Sequence, residues 1–136
     1  MSTINVDIIQ SASASNVTID TDLVVNGDNN IRPYRVYSAI LSQSGTNAPT
    51  AVVLENTIGD IFLSREGIGD YHISSNSLFT VDKTSISCNG IGDTNGGIVF
   101  AVVGGVGFCQ LITRTNAGIT SDDILFKSFI EIRVYN

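Results

Sequence analysis

Tryptophan is absent from this chain; histidine and methionine occur once each, and proline and cysteine twice each, among 136 residues. Each scarcity closes a class of chemistry. A zinc centre draws three or four ligands from His, Cys and carboxylates, and one histidine (His72) with two widely separated cysteines is too few. Glycoside cleavage pairs two carboxylates beside aromatic sugar platforms, for which four tyrosines and no tryptophan offer little. Lys and Arg number 7 against 13 Asp and Glu, and the cations do not cluster. Without a basic stripe, nucleic acid is excluded as a partner. The longest apolar run, residues 98–103 (IVFAVV), falls far short of the roughly 20 residues that cross a bilayer, so no membrane partner is expected. No useful length of the chain repeats with a helical period. Residues 1–10 carry neither the basic nor the continuous apolar region of a signal peptide. Synthesis in a cytoplasm is therefore expected, with Cys88 and Cys109 reduced and acting as small buried hydrophobes rather than as a disulfide.

What the chain does have is apolar β-forming sequence. Hydrophobic residues make up 43% and charged residues 15%, the latter against about a quarter in average globular proteins. At 14.4 kDa the chain fits one domain, and part of its apolar surface is expected to be covered by another copy or another protein. Residues 128–136 (SFIEIRVYN) alternate most cleanly: Ile130, Ile132 and Val134 fall on one side of an extended chain, Glu131 and Arg133 on the other. That is the period of a half-buried antiparallel strand, and residues 34–43 (YRVYSAILSQ) are its natural partner.

From Tyr34 onward, short β-rich runs are interrupted by Gly, Asn, Asp or Pro: 50–55, 60–64, 71–74, 78–81, 84–88, 98–103 and 106–115. Gly104 and Gly105 offer a two-residue hairpin between the last two of these. Eight or nine strands on short connections predict an all-β chain, an antiparallel β-sandwich of which a jelly roll is one form. Residues 98–103 are apolar on both faces, whereas the outer strand of a sandwich should show one polar face. Ile98, Phe100 and Val102 are accordingly expected to line a subunit contact around a threefold axis. The competing expectation is a strand covered by a loop of its own chain.

Residues 1–33 read differently. Ile4, Val6 and Ile8, then Val17, Ile19, Leu23 and Val25, alternate with polar residues on either side of the spacer at 11–15 (SASAS). Two narrow β stripes of this kind are marginally stable alone. They predict an extended attachment or strand-exchange arm whose docking face is those seven side chains, separated by the turn-forming residues 26–30 (NGDNN) from a β-sandwich domain at 34–136.

Motifs that carry chemistry are few. No G-x-S-x-G elbow accompanies His72. Asp28-Asn29-Asn30 and Asp93-Thr94-Asn95 lack the spacing and distal Glu of a calcium loop and are read as Asx turns. Asp122 and Asp123 are adjacent, opening a segment (122–127) that reads as one helical turn or a capped loop. The glycine-rich 89–97 (NGIGDTNGG) leads into no helix that would hold a phosphate. No catalytic, cofactor-binding or metal-binding residue is assigned, and no cofactor is expected.

Residues 34–59 (YRVYSAILSQSGTNAPTAVVLENTIG), with the terminal IEIRVYN, resemble a β-rich module of bacteriophage virion proteins, particularly of phages of Bacteroidota, in fibre and accessory components. The resemblance implies a homotrimeric or otherwise oligomeric structural part in the virion. Its N-terminal segment would anchor to other virion proteins, and its exposed β domain would meet a host surface. The short arm favours a compact capsid or tail accessory over an adhesin on a stalk. The alternative is a carbohydrate- or receptor-binding β-sandwich module, with residues 44–49, 89–97 and 116–121 clustering at one end to meet a host-surface glycan.

Overall fold

The computed structural model describes residues 32–89, 97–105 and 107–135. The expected arm, with its docking candidates Ile4 to Val25, lies outside the described residues but for Arg32 and Pro33. Eight strands follow one another: β1 (Tyr34–Ser42), β2 (Thr50–Asn56), β3 (Phe62–Gly67), β4 (Asp70–Ser74), β5 (Thr84–Asn89), β6 (Ile98–Gly105), β7 (Phe108–Arg114) and β8 (Ser128–Tyr135). They form two four-stranded antiparallel sheets, β2-β1-β8-β5 and β3-β4-β7-β6. This is the expected all-β sandwich. Among the described residues only β1–β2, β3–β4 and β6–β7 are hairpins within a sheet; the other connections cross between the two sheets.

The β1–β8 pairing read from the sequence is present along its whole length, from Tyr34 opposite Tyr135 to Leu41 opposite Ser128. Period two dictates what each strand buries. Ile130, Ile132 and Val134 on β8 meet Tyr37, Ala39 and Leu41 on β1, and the facing sheet contributes Tyr71, Ile73, Cys109 and Leu111. Each such fully buried side chain contributes about 1.5–3 kcal/mol by removal from water. On the outer side, Glu131 and Arg133 form an ion pair at 2.6 Å.

Register fixes two poles. Ser42 opposite Thr50, Leu41 opposite Ser128, Asn89 opposite Phe129 and Ile98 opposite Arg114 mark one end. Tyr34 opposite Tyr135 and Ser74 opposite Phe108 mark the other. The two outermost described residues, Arg32 and Tyr135, therefore lie at the second pole, the terminal pole. Residues 43–49, 68–69 and 115–127 connect strands at the first, the loop pole, where Asn89 and Gly97 also lie.

Three local expectations need correcting. Residues 78–81 are not a strand: Phe79 is fully buried as a plug of the terminal pole, and the chain turns on either side of it (Leu78 N–H to Ser75 O, 2.9 Å; Lys83 N–H to Thr80 O, 3.2 Å). Gly104 and Gly105 belong to β6, so the connection to β7 comes after the glycine pair rather than at it. Residues 122–127 form no helical turn, because Asp123 and Lys127 both adopt left-handed backbone (φ 64° and 46°).

Candidate functional site

A buried polar network holds the loop pole together. Tyr71 on β4 aims its hydroxyl out of the core toward two acceptors, Asp122 Oδ1 at 2.8 Å and Gln43 Oε1 at 2.9 Å. Arg65 on β3 donates from Nε (3.1 Å) and Nη2 (2.7 Å) to the two oxygens of Asp122, and the Gly69 N–H donates to Oδ1 at 3.0 Å. Paired guanidinium donors, joined by the Gly69 and Tyr71 hydrogen bonds, hold the Asp122 carboxyl down to about 2, with partial burial opposing them. Burial is the main cause that pushes the Tyr71 phenol well above its ordinary value, so its proton stays on.

Gln43 extends the network to the neighbouring loop. Its Oε1 also accepts from the Asp123 N–H (2.8 Å), and its Nε2 donates to the carbonyls of Gly45 (2.6 Å) and Asn47 (3.2 Å). The Gly45 N–H returns a bond to Asp123 Oδ1 at 2.6 Å. Three sequence-distant segments, around residues 43–47, 65–71 and 122–123, are thereby tied into one surface.

Two depressions flank the 122–124 segment. One, of about 470 Å³, is bordered by Ser44, Asn47, Thr50, Asp123 and Phe126. The other, of about 450 Å³, is bordered by Thr115, Asn116, Ala117, Ser121 and Ile124. Of the loops expected at one end, 44–49 and 116–121 do meet there. The third, 90–96, lies outside the described residues, although its anchors Asn89 and Gly97 are at this pole. Sequence reasoning missed Phe126, which is 51% exposed. The available signal was the apolar triplet Ile124-Leu125-Phe126, because a surface segment that buries two such neighbours must turn the third outward.

The expected subunit-contact residues occupy the outer face of β6. Ile98, Phe100 and Val102 are 45%, 47% and 46% exposed, while Val99, Ala101 and Val103 pack on the core. Ile112 and Phe108 on β7 extend this apolar strip by register. Its border is polar: Arg114 lies over the Phe100 ring at 5.6 Å, Gln110 donates to Asp70 at 2.8 Å, and His72 stacks on Phe108 at 4.2 Å. A second exposed apolar strip, Val52, Val53 and Leu54, lies on edge strand β2. β5 and β6 lie against each other at one flank of the sandwich, so β2 and β6 occupy opposite flanks.

Both cysteines are free. Burial pushes the Cys88 thiol up to about 11 and the Cys109 thiol up to about 12. A thiol so protonated reacts slowly. Ellman's reagent at pH 8 should label both roughly 100-fold more slowly in the native protein than in urea, with Cys109 the slower. Labelling of native Cys109 at the rate of a free thiol would show that the core opens readily.

Among the described residues, no group of three or more His, Cys, Asp or Glu side chains is placed to hold a metal ion. No protein-family profile, curated protein or solved structure matches this chain.

Proposed function

We propose that the protein is a non-enzymatic structural component of a bacteriophage virion, a capsid or tail accessory or fibre part, that self-associates through its flanks and attaches to other virion proteins through its N-terminal arm. The observation that carries this reading is the pair of exposed apolar strips on opposite flanks. An apolar centre with a satisfied polar border is the anatomy of an interface, and contiguous exposed apolar residues rimmed by polar ones mark interaction sites. Two different patches on opposite sides suit a head-to-tail contact, β6 of one copy on β2 of the next, and such contacts form a ring where the rotation between copies closes. A threefold ring would cover both strips and leave both poles free.

Light scattering tests it. The full chain should have a mass near three times 14.4 kDa, and Phe100→Glu should reduce it to the monomer. Val52→Glu should do the same if the contact is head-to-tail and leave the mass unchanged if β6 meets β6. Both sites are exposed, so neither change should unfold the sandwich. A wild-type monomer at every concentration would sink the proposal. Deleting residues 1–33 should leave a folded, soluble domain that no longer enters particles; normal incorporation would remove the arm's assigned role.

A second reading, a carbohydrate- or receptor-binding module, is favoured by the separation of the poles. The described chain begins and ends at the terminal pole, so a domain held there would present its rigid loop pole outward, toward a host-surface glycan or receptor.

A further inference from the structure

The backbone between Asp122 and Lys127 is arranged to turn one aromatic ring outward. Ile124 and Leu125 are buried, and the Leu125 carbonyl accepts from the Gln43 N–H at 2.8 Å. On either side, Asp123 and Lys127 take left-handed φ angles, two of the three such non-glycine residues among those described. Both are tied to β1 or its end: the Asp123 N–H donates to Gln43 Oε1 at 2.8 Å, and the Lys127 N–H to Ser42 Oγ at 3.2 Å. Backbone strain of this kind persists only where its surroundings hold it, and it gathers at binding sites. Between the two strained residues stands Phe126, its ring at the border of the 470 Å³ depression, with Lys127 Nζ at 5.4 Å from its centroid.

Polar groups converge on the same depression. Asp123 uses Oδ1 to accept from Gly45, leaving Oδ2 as a fixed acceptor. Asn47 donates one amide hydrogen to Ser44 O at 3.2 Å, leaving its second hydrogen as a donor and its oxygen as an acceptor. One exposed ring, one carboxylate oxygen and one amide on a rigid frame match a pyranose, which offers an apolar C–H face beside edges of paired hydroxyls. The volume lies within the range of small-molecule sites. The Asp123 carboxylate and the chain's net charge of −6 disfavour an anionic ligand.

We propose that this depression binds a neutral sugar, stacked on Phe126 and hydrogen-bonded by Asp123 and Asn47; the proposal rests on the reading of the loop pole as the presented end. The test is an NMR titration of the ¹⁵N-labelled full chain with methyl glycosides of glucose, galactose and mannose and with N-acetylglucosamine, each to high millimolar concentration. At least one should shift amides confined to 43–50 and 123–127. Phe126→Ala should weaken that binding by several-fold to about tenfold, and Asp123→Asn, which keeps the oxygen that accepts from Gly45, should weaken it about as much. Phe126 is half-exposed, so its loss should leave the fold intact, checked by an unchanged spectrum elsewhere. The proposal is overturned by no shift with any of the sugars, by shifts that map instead to 115–121, or by binding that survives Phe126→Ala. Sedimentation of the full chain with host-cell envelopes separates the two ideas. Binding to envelopes that survives Phe126→Ala but is lost on replacing 116–121 ends the sugar site and leaves the presented pole standing; loss with neither change ends both.

Discussion

Replacing Gly69 by alanine is expected to destabilise the fold by about 3–5 kcal/mol, lowering the melting temperature by roughly 10 °C or more. Gly69 has φ +64°, and a Cβ there would stand 2.6 Å from the Thr113 carbonyl oxygen and 2.7 Å from the Ser121 nitrogen. Both obstacles are backbone. They cannot rotate away, because Thr113 N–H donates to Gly69 O at 2.9 Å and Ser121 N–H to Thr113 O at 3.2 Å. To accommodate the methyl group, the β3–β4 turn must withdraw from β7, and that withdrawal also pulls the Gly69 N–H from Asp122. Gly45→Ala is the control. It has nearly the same φ, +59°, but nothing within 4 Å of its added carbon, so only the conformational term of about 1 kcal/mol remains. Urea titrations of the two variants at constant slope separate the terms. Equal losses would mean that close approach at Gly69 contributes nothing.

The contrast between these two glycines also marks what the sequence made legible. Strands were legible where one face had to be buried, because period two then names the residues: β8 showed Ile130, Ile132 and Val134, and β1, long and rich in β-formers, was its natural partner. Residues 98–103 announced an outer face with no polar side chains, and that face is half-exposed. Local apolarity misled at 78–81, where a run that fits a strand serves to drive Phe79 into an open end of the sandwich. The loop pole was legible only in part. Its loops were visible as turn-rich intervals, but the network that fixes them joins Gln43, Arg65, Tyr71 and Asp122, whose positions in the chain carry no shared period. Only the strand order brings them together. Phe126 was hidden for a similar reason: its exposure follows from Ile124 and Leu125 being drawn inward, a tertiary fact with a faint local trace.

Asp122→Ala should be among the most damaging changes to a polar residue, about 1.5–3 kcal/mol at pH 7, because it removes the charged acceptor of the Gly69 N–H and leaves a partly buried guanidinium with no countercharge. Its pH dependence identifies the cause. The Arg65 guanidinium, first among the groups at Asp122, holds the folded carboxyl down to about 2, whereas an unfolded aspartate titrates near about 3.9. As the pH falls, the unfolded chain takes up this proton first. The stabilisation is therefore complete above about pH 4 and is lost between there and about pH 2, where the folded group also protonates. Asp122→Ala has nothing to lose in that window. Urea midpoints of wild type and variant should accordingly lie far apart at pH 7 and at pH 5, then converge as the pH is lowered from 4 to 2, while other carboxylates titrate alike in both proteins and cancel in the difference. A gap that stays constant to pH 2 would mean that Asp122 acts through packing and neutral hydrogen bonds alone. A gap that closes would show that the charge of one aspartate, reaching Arg65 on β3 and Tyr71 on β4, stabilises the fold through the pole that carries Asp123 and Phe126.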